Sequence, residues 1–299
     1  MGNLESKRDR LLELETERGP ETLTLRVSDW EVEIGGLDAE LAEVLEERWG
    51  DFVGRAVSPS PTVRLRVLKG DAGLSLGRDR PGEIYRLEAE REGGCMLVRS
   101  HHVAICAEPD DPGAWRAGLT ITDAEPPARI VENVVRYLMA RLCVAGGGFA
   151  LHGAGVLRDG RAHLFAGPSR SGKTTAVGLS PGGTSLGDDF SIVIDTAEGW
   201  RTTAVPFDNL ERPPESPPTG WIPVAAIWRL ERSAETEVRI PAAVQATASL
   251  MASATFPWAM PDLTDAMLEH VRSFVSTSVF GILSFTKESD FWPLIESRI

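Results

Sequence analysis

The chain is short of cysteine, of basic charge and of long apolar runs, and each shortage removes a class of protein. Its three cysteines, Cys95, Cys106 and Cys143, form no C-x-x-C pair and no spacing suited to a metal. That excludes a disulfide-stapled secreted scaffold and a zinc module, and leaves reduced core thiols of a cytoplasmic protein as the expectation. Lysine and arginine total 31 against 44 acids, a net charge of −13. Nucleic acid and anionic membrane surfaces demand clustered cations, so neither is expected as a partner, whereas a basic peptide or a basic patch fits. No apolar stretch reaches the roughly 18 residues a membrane helix needs; Arg136 and Arg141 interrupt the best one. No secretory signal is legible. A guanine-reading (N/T)KxD motif is missing too. Thr286-Lys287-Glu288-Ser289 ends in serine where aspartate is required, which ranks a GTPase last.

What is present is ordinary globular material. With 299 residues, 42% of them hydrophobic, the chain can form one large or two modest domains. Residues 1–20 are a charge-dense arm with Leu4, Leu11 and Leu14 at a loose helical spacing, ended by Gly19-Pro20. Residues 21–127 read as a smaller α+β domain with a mostly antiparallel sheet. Thr22–Ile34 alternates as two short strands. Asp38 is placed to cap a helix over Ala39–Phe52 with Leu41, Val44, Leu45 and Trp49 on one face. Thr62–Leu68, Glu83–Glu92, Cys95–Ser100, Val103–Glu108 and Leu119–Thr122 read as strands, with Gly93-Gly94 as a hairpin turn. His101-His102 lacks a third ligand at metal spacing and reads as a strand-edge or turn pair. This region carries no chemical motif. Packing, substrate docking or dimerisation are its expected roles, so a second copy of the chain is a candidate partner.

Pro126-Pro127 opens the second part, 128–299. Ala128–Val144 has the helical period, with Ile130, Val134, Tyr137, Leu138 and Leu142 inward, and Gly146-Gly147-Gly148 stops it. Phe149–Leu157 reads as one strand carrying His152, turned by Asp159-Gly160 into a buried strand over Ala162–Ala166. Further on, Phe190–Asp195 with Trp200–Val205 reads as a hairpin, and Ala226–Leu230 and Val279–Phe285 as strands. Ala242–Ala254, Leu263–Ser276 and Phe291–Ile299 read as helical. Pro206–Pro223 cannot hold regular structure and reads as a substrate loop, a lid or a surface connector.

The chemistry concentrates in Gly167–Asp189, GPSRSGKTTAVGLSPGGTSLGDD. Gly167, four residues, then Gly172-Lys173-Thr174 is the phosphate-cradling pattern: glycines let the backbone curl so that successive N–H groups meet phosphate oxygens. Gly167, Pro168, Ser169, Arg170, Ser171, Gly172, Lys173, Thr174 and Thr175 are the expected nucleotide contacts. Lys173 adds a point charge near the β- and γ-phosphates, and the Thr174 hydroxyl can ligate Mg²⁺. Asp188 and Asp189 follow closely. Adjacent strand residues face opposite ways, so at a strand end one can hold Mg²⁺ while the other faces the acceptor. Arg201, Arg212 and Arg239 are the nearest downstream cations for a transition state, and spacing does not choose among them.

His152 in ALHGAGV, the GPSRSGKTT loop and the GDD that follows resemble the C-terminal half of bacterial HPr serine kinase/phosphorylase and its relatives, which include kinases encoded beside peptide-tailoring enzymes such as lasso-peptide precursor kinases. The resemblance runs from about Asn133 to Val193 and recurs at Ala226–Glu231 and Val279–Ile295. It implies a C-terminal P-loop core related to phosphoenolpyruvate carboxykinase, preceded by the smaller domain, an α/β (α+β) protein. It also implies Asp188 as base toward an acceptor serine, His152 adjusting it, and Asp189 with Thr174 on Mg²⁺. Two departures stand out. Arg170 sits where relatives usually have glycine, and Pro206–Pro223 replaces the Arg-Gly-rich segment after the aspartates. The resemblance therefore does not extend to HPr as substrate or to the reverse phosphorylase activity.

The expectation is a cytoplasmic kinase using ATP and Mg²⁺, with Lys173, Asp188 and His152 in catalysis and a serine or other hydroxyl of a peptide, protein or small molecule as acceptor. The alternative is a nucleotide-binding regulatory or switch protein without transfer activity. A pure switch needs no acceptor-side base, and that separates the two.

Overall fold

The computed structural model describes residues 3–77, 87–92, 95–120, 125–207, 216–287 and 290–299. It is a mixed α+β protein with two large sheets. Two units separate by internal contacts, Met1–Leu138 with Trp258–Pro261 and Met139–Pro257 with Asp262–Ile299. The division falls inside the helix over Pro127–Ala145 rather than at its start.

In the first unit, Asn3 caps α1 (Leu4–Leu12) by accepting from the Ser6 N–H, and Leu4 and Leu11 are buried with Leu97, Ala104 and Cys106. β1 (Glu21–Val27) and β2 (Trp30–Leu37) form an antiparallel hairpin. Asp38 caps α2 (Ala39–Trp49), its carboxylate accepting from the Leu41 N–H at 2.9 Å. The buried stripe is Leu41, Ala42, Leu45 and Trp49; Val44, expected inward, is 40% exposed. At 100° per residue it falls about 60° outside Leu41, beyond the edge of the stripe that Leu41, Leu45 and Trp49 define. β3 (Val53–Gly54), β4 (Val63–Lys69), β5 (Glu88–Glu92), β6 (Cys95–Arg99), β7 (Val103–Glu108) and β8 (Asp111–Leu119) complete the sheet. Among the described residues its order is β3-β1-β2-β4-β8-β7-β6-β5, parallel only at β2–β4 and β4–β8. β8 ends at Leu119, and of the strand expected over Leu119–Thr122 residues 121 and 122 lie outside the described residues. Pro112 and Gly113 argue against a strand, but they fall in the irregular stretch between the Glu108–Asp111 and Ala107–Trp115 pairs. From there Trp115, Ala117 and Leu119 alternate inward. The Gly93-Gly94 turn lies outside the described residues.

α3 (Pro127–Ala145) leads into β9 (Gly148–Leu151), β10 (Gly153–Arg158), β11 (Arg161–Ala166), α4 (Lys173–Gly178), β12 (Thr184–Gly187), β13 (Ser191–Thr196), β14 (Gly199–Thr202), β15 (Ile222–Glu231) and β16 (Glu237–Arg239). α5 (Ala243–Ser253), α6 (Thr264–Thr277), β17 (Val279–Ser284) and α7 (Trp292–Glu296) follow. The strand expected over Phe149–Leu157 is two. β9 pairs with β13, β10 pairs with β11 and β12, and His152 stands at the break. The sheet order is β12-β10-β11-β15-β14-β13-β9, with β17 also on β15 and β16 on β17. β11, β15 and β17 run parallel. Trp228 on β15 is fully buried among Phe165, Leu283, Phe291 and Trp292. Gly281 on β17 admits that ring, since a Cβ there would lie 2.4 Å from Trp228 Cζ3.

Candidate functional site

Open sheets collect ligands beyond the carboxyl ends of their parallel strands, and here β11 ends in the Gly167–Gly172 loop that turns into α4. The loop's shape depends on its glycines. A Cβ on Gly167 would lie 2.6 Å from Ser171 Oγ, and Gly172 has φ 103°. Pro168, Ser169 and Arg170 are exposed at the tip, and Thr174 is exposed beyond it.

Lys173 folds back over the loop. Its Nζ donates to the carbonyls of Gly167 and Pro168, both at 3.1 Å, and lies 2.9 Å from His152 Nε2. The residue is only 7% exposed. Burial lowers its pKa, Asp189 and Asp188 pull it back up, and the charge of Arg229 lowers it again.

The two aspartates part as neighbours on a strand end should. Thr174 Oγ1 donates to Asp188 Oδ2 at 2.6 Å. Asp188 is 2% exposed, and its other oxygen, Oδ1, is buried without a partner. Burial raises its pKa, the Thr174 hydrogen bond opposes this, Asp189 adds to the rise, and Lys173 and His152 oppose it. Asp189 Oδ1 instead lies 3.1 Å from His152 Nδ1, which is equally close to the Asp189 carbonyl oxygen. These side chains are 15% and 37% exposed, so this pair is open to solvent where Asp188 is not. The resemblance joins His152 to Asp188 and Thr174 to Asp189; the contacts join His152 to Asp189 and Thr174 to Asp188.

His152 is held by its backbone, its N–H donating to the Ser253 carbonyl at 2.8 Å at the end of α5. Ser253 Oγ in turn accepts from Arg229 Nη1 at 2.7 Å. Arg229 and Ser253 are the residues that spacing missed. The available signal was a cation inside the otherwise apolar run of β15, IPVAAIWRLE. Of the expected cations, Arg201 is engaged by Glu198 and the Trp221 carbonyl, Arg239 by Glu231, and Arg212 lies outside the described residues.

The residues present suit a magnesium nucleotide. Mg²⁺ on phosphates needs only one or two carboxylates and a hydroxyl, which matches Asp188 and Thr174; among the described residues no three His, Cys, Asp or Glu cluster as a metal cage. The buried Ser171 Oγ, also without a partner, is a further polar group facing the loop interior. Among the described residues no helix is long and apolar enough to cross a membrane. No family model matches the chain, and no curated protein matches it.

Proposed function

We propose that this protein is a Mg-ATP-dependent kinase of the HPr kinase-like type, transferring the γ-phosphoryl group to a serine or other hydroxyl of a peptide, protein or small molecule. The observation that best supports this is the split of the aspartate pair. Thr174 with buried Asp188 makes an edge fit for Mg²⁺, and Asp189 with His152 makes a solvent-side edge fit for a proton. A nucleotide switch has use for the first edge and none for the second.

When bound, Mg-ATP supplies the phosphoryl group and a cation that neutralises it. The Gly167–Thr175 backbone would hold the phosphates, and Lys173 would exchange its loop carbonyls for phosphate oxygens. Asp189 takes the acceptor proton; His152 orients that carboxylate and shares the proton through Nδ1. The aspartate roles are thus exchanged relative to those the resemblance implies. A cytoplasmic setting suits the buried free thiols of Cys106 and Cys143.

The test is ADP formation by wild type and His152→Ala. The variant should keep its melting temperature and Mg-ATP affinity and turn over roughly 10²-fold more slowly, the scale of lost acid–base assistance. A destabilised variant with full turnover per folded molecule would make His152 structural. Mg-ATP binding by the wild type without any transfer would leave the switch.

A further inference from the structure

We propose that Arg170 is a catalytic cation supplied in cis, its guanidinium closing on the γ-phosphoryl group as that group transfers. This rests on the kinase reading and adds a residue to it. The backbone is the first observation. Arg170 has φ 63°, a left-handed conformation that glycine takes without strain and an arginine does not. The second is its support: Arg232, just beyond β15, donates from Nη2 to the Arg170 carbonyl at 2.7 Å and so holds the strained peptide in place. The third is the side chain. It is exposed, and among the described residues nothing bonds its guanidinium. Other arginines of the same unit are engaged instead, Arg229 by Ser253, Arg201 by Glu198 and Arg239 by Glu231.

A strained residue clamped by a second cation, with its own head group uncommitted, is arranged for a ligand at the loop. A planar guanidinium matches phosphate oxygens two at a time, which the point charge of Lys173 cannot do. In the transfer, the acceptor oxygen bonds to the γ-phosphorus while its proton passes to Asp189. The bond from that phosphorus to the β–γ bridging oxygen breaks, and ADP leaves with the electron pair. Arg170 makes and breaks no covalent bond; it neutralises charge on the three equatorial oxygens. Arg232 is its positioning residue.

The experiment compares wild type, Arg170→Gly and Arg170→Lys by calorimetry with ADP·Mg²⁺ alone and with ADP·Mg²⁺ plus fluoroaluminate, a mimic of the phosphoryl in flight. Wild type should bind the fluoroaluminate complex more tightly than ADP·Mg²⁺. Arg170→Gly should lose that extra tightening by about 10²-fold or more, the scale of one lost charge-stabilising donor, and weaken ADP·Mg²⁺ itself far less. Arg170→Lys should recover part of it. Because glycine relieves the backbone, the melting temperature of Arg170→Gly should not fall. Equal tightening in wild type and Arg170→Gly, or none in wild type that binds ADP·Mg²⁺, overturns the role of Arg170 and leaves the nucleotide site standing. A wild type that binds no ADP·Mg²⁺ overturns the kinase reading itself.

Discussion

Burial raises the pKa of Asp188, and of its two oxygens only the one facing Thr174 is bonded. A carboxylate so placed disfavours the nucleotide-free fold, and a cation would offset the cost. Asp188→Asn keeps the shape and can still accept from Thr174. It should raise the melting temperature of the nucleotide-free protein and abolish the Mg²⁺-dependent part of ATP affinity, whereas Asp189→Asn should keep that dependence and lose turnover. Scanning calorimetry with a Mg²⁺ titration decides; a less stable Asp188→Asn, or identical behaviour of both variants, contradicts the assignment. His163 gives a second handle. Burial, helped by the charges of Arg161 and Arg158 and opposed by Asp159, depresses its pKa to about 4 from 6.5. The unfolded chain therefore takes up this proton first as pH falls, so the contribution is whole above about pH 6.5 and lost toward pH 4, roughly 3 kcal/mol in all. His163→Leu should flatten that part of a stability-versus-pH curve; an unchanged slope contradicts it. The loop, His152 and the aspartate pair were legible because they are local patterns. Which aspartate meets Thr174 was not, because it depends on how β12 ends at Gly187, whose φ is 126°.

Strands that alternate could be read from the sequence; those that depend on their neighbours could not. β1, β2 and β4 carry the period-two pattern, whereas β7 is a continuous buried run. β8 hides behind Pro112-Gly113, and β16 spans only Glu237–Arg239, too short to show a pattern. The break at His152 is silent because apolar residues flank it on both sides, and only the change of partner from β13 to β10's neighbours reveals it. At this scale the sharpest test is Gly281→Ala. The added Cβ would meet Trp228 at 2.4 and 2.7 Å, and Trp228 is fully buried. Overpacking of this kind costs typically 1–3 kcal/mol. Denaturant unfolding should show a loss in that range, and unchanged stability would mean that the β15–β17 core yields more than its packing suggests.

For the whole molecule, the mixed α+β class was legible in the switch from alternating strands to a long helix. Pro126-Pro127 marks where that helix starts, and the division by contacts falls within it. A ligand that binds only the native state stabilises it by mass action, about 2.7 kcal/mol at a hundredfold excess over Kd, so Mg-ATP should raise the melting temperature in a concentration-dependent way. The most direct measurement is titration calorimetry of Mg-ATP into wild type and Lys173→Ala. Lys173 is buried against the loop carbonyls and His152, so its loss should weaken Mg-ATP at least about tenfold, the equivalent of 1.4 kcal/mol, in a protein that still folds. Equal affinity in the two proteins, or no binding by wild type, would contradict the account.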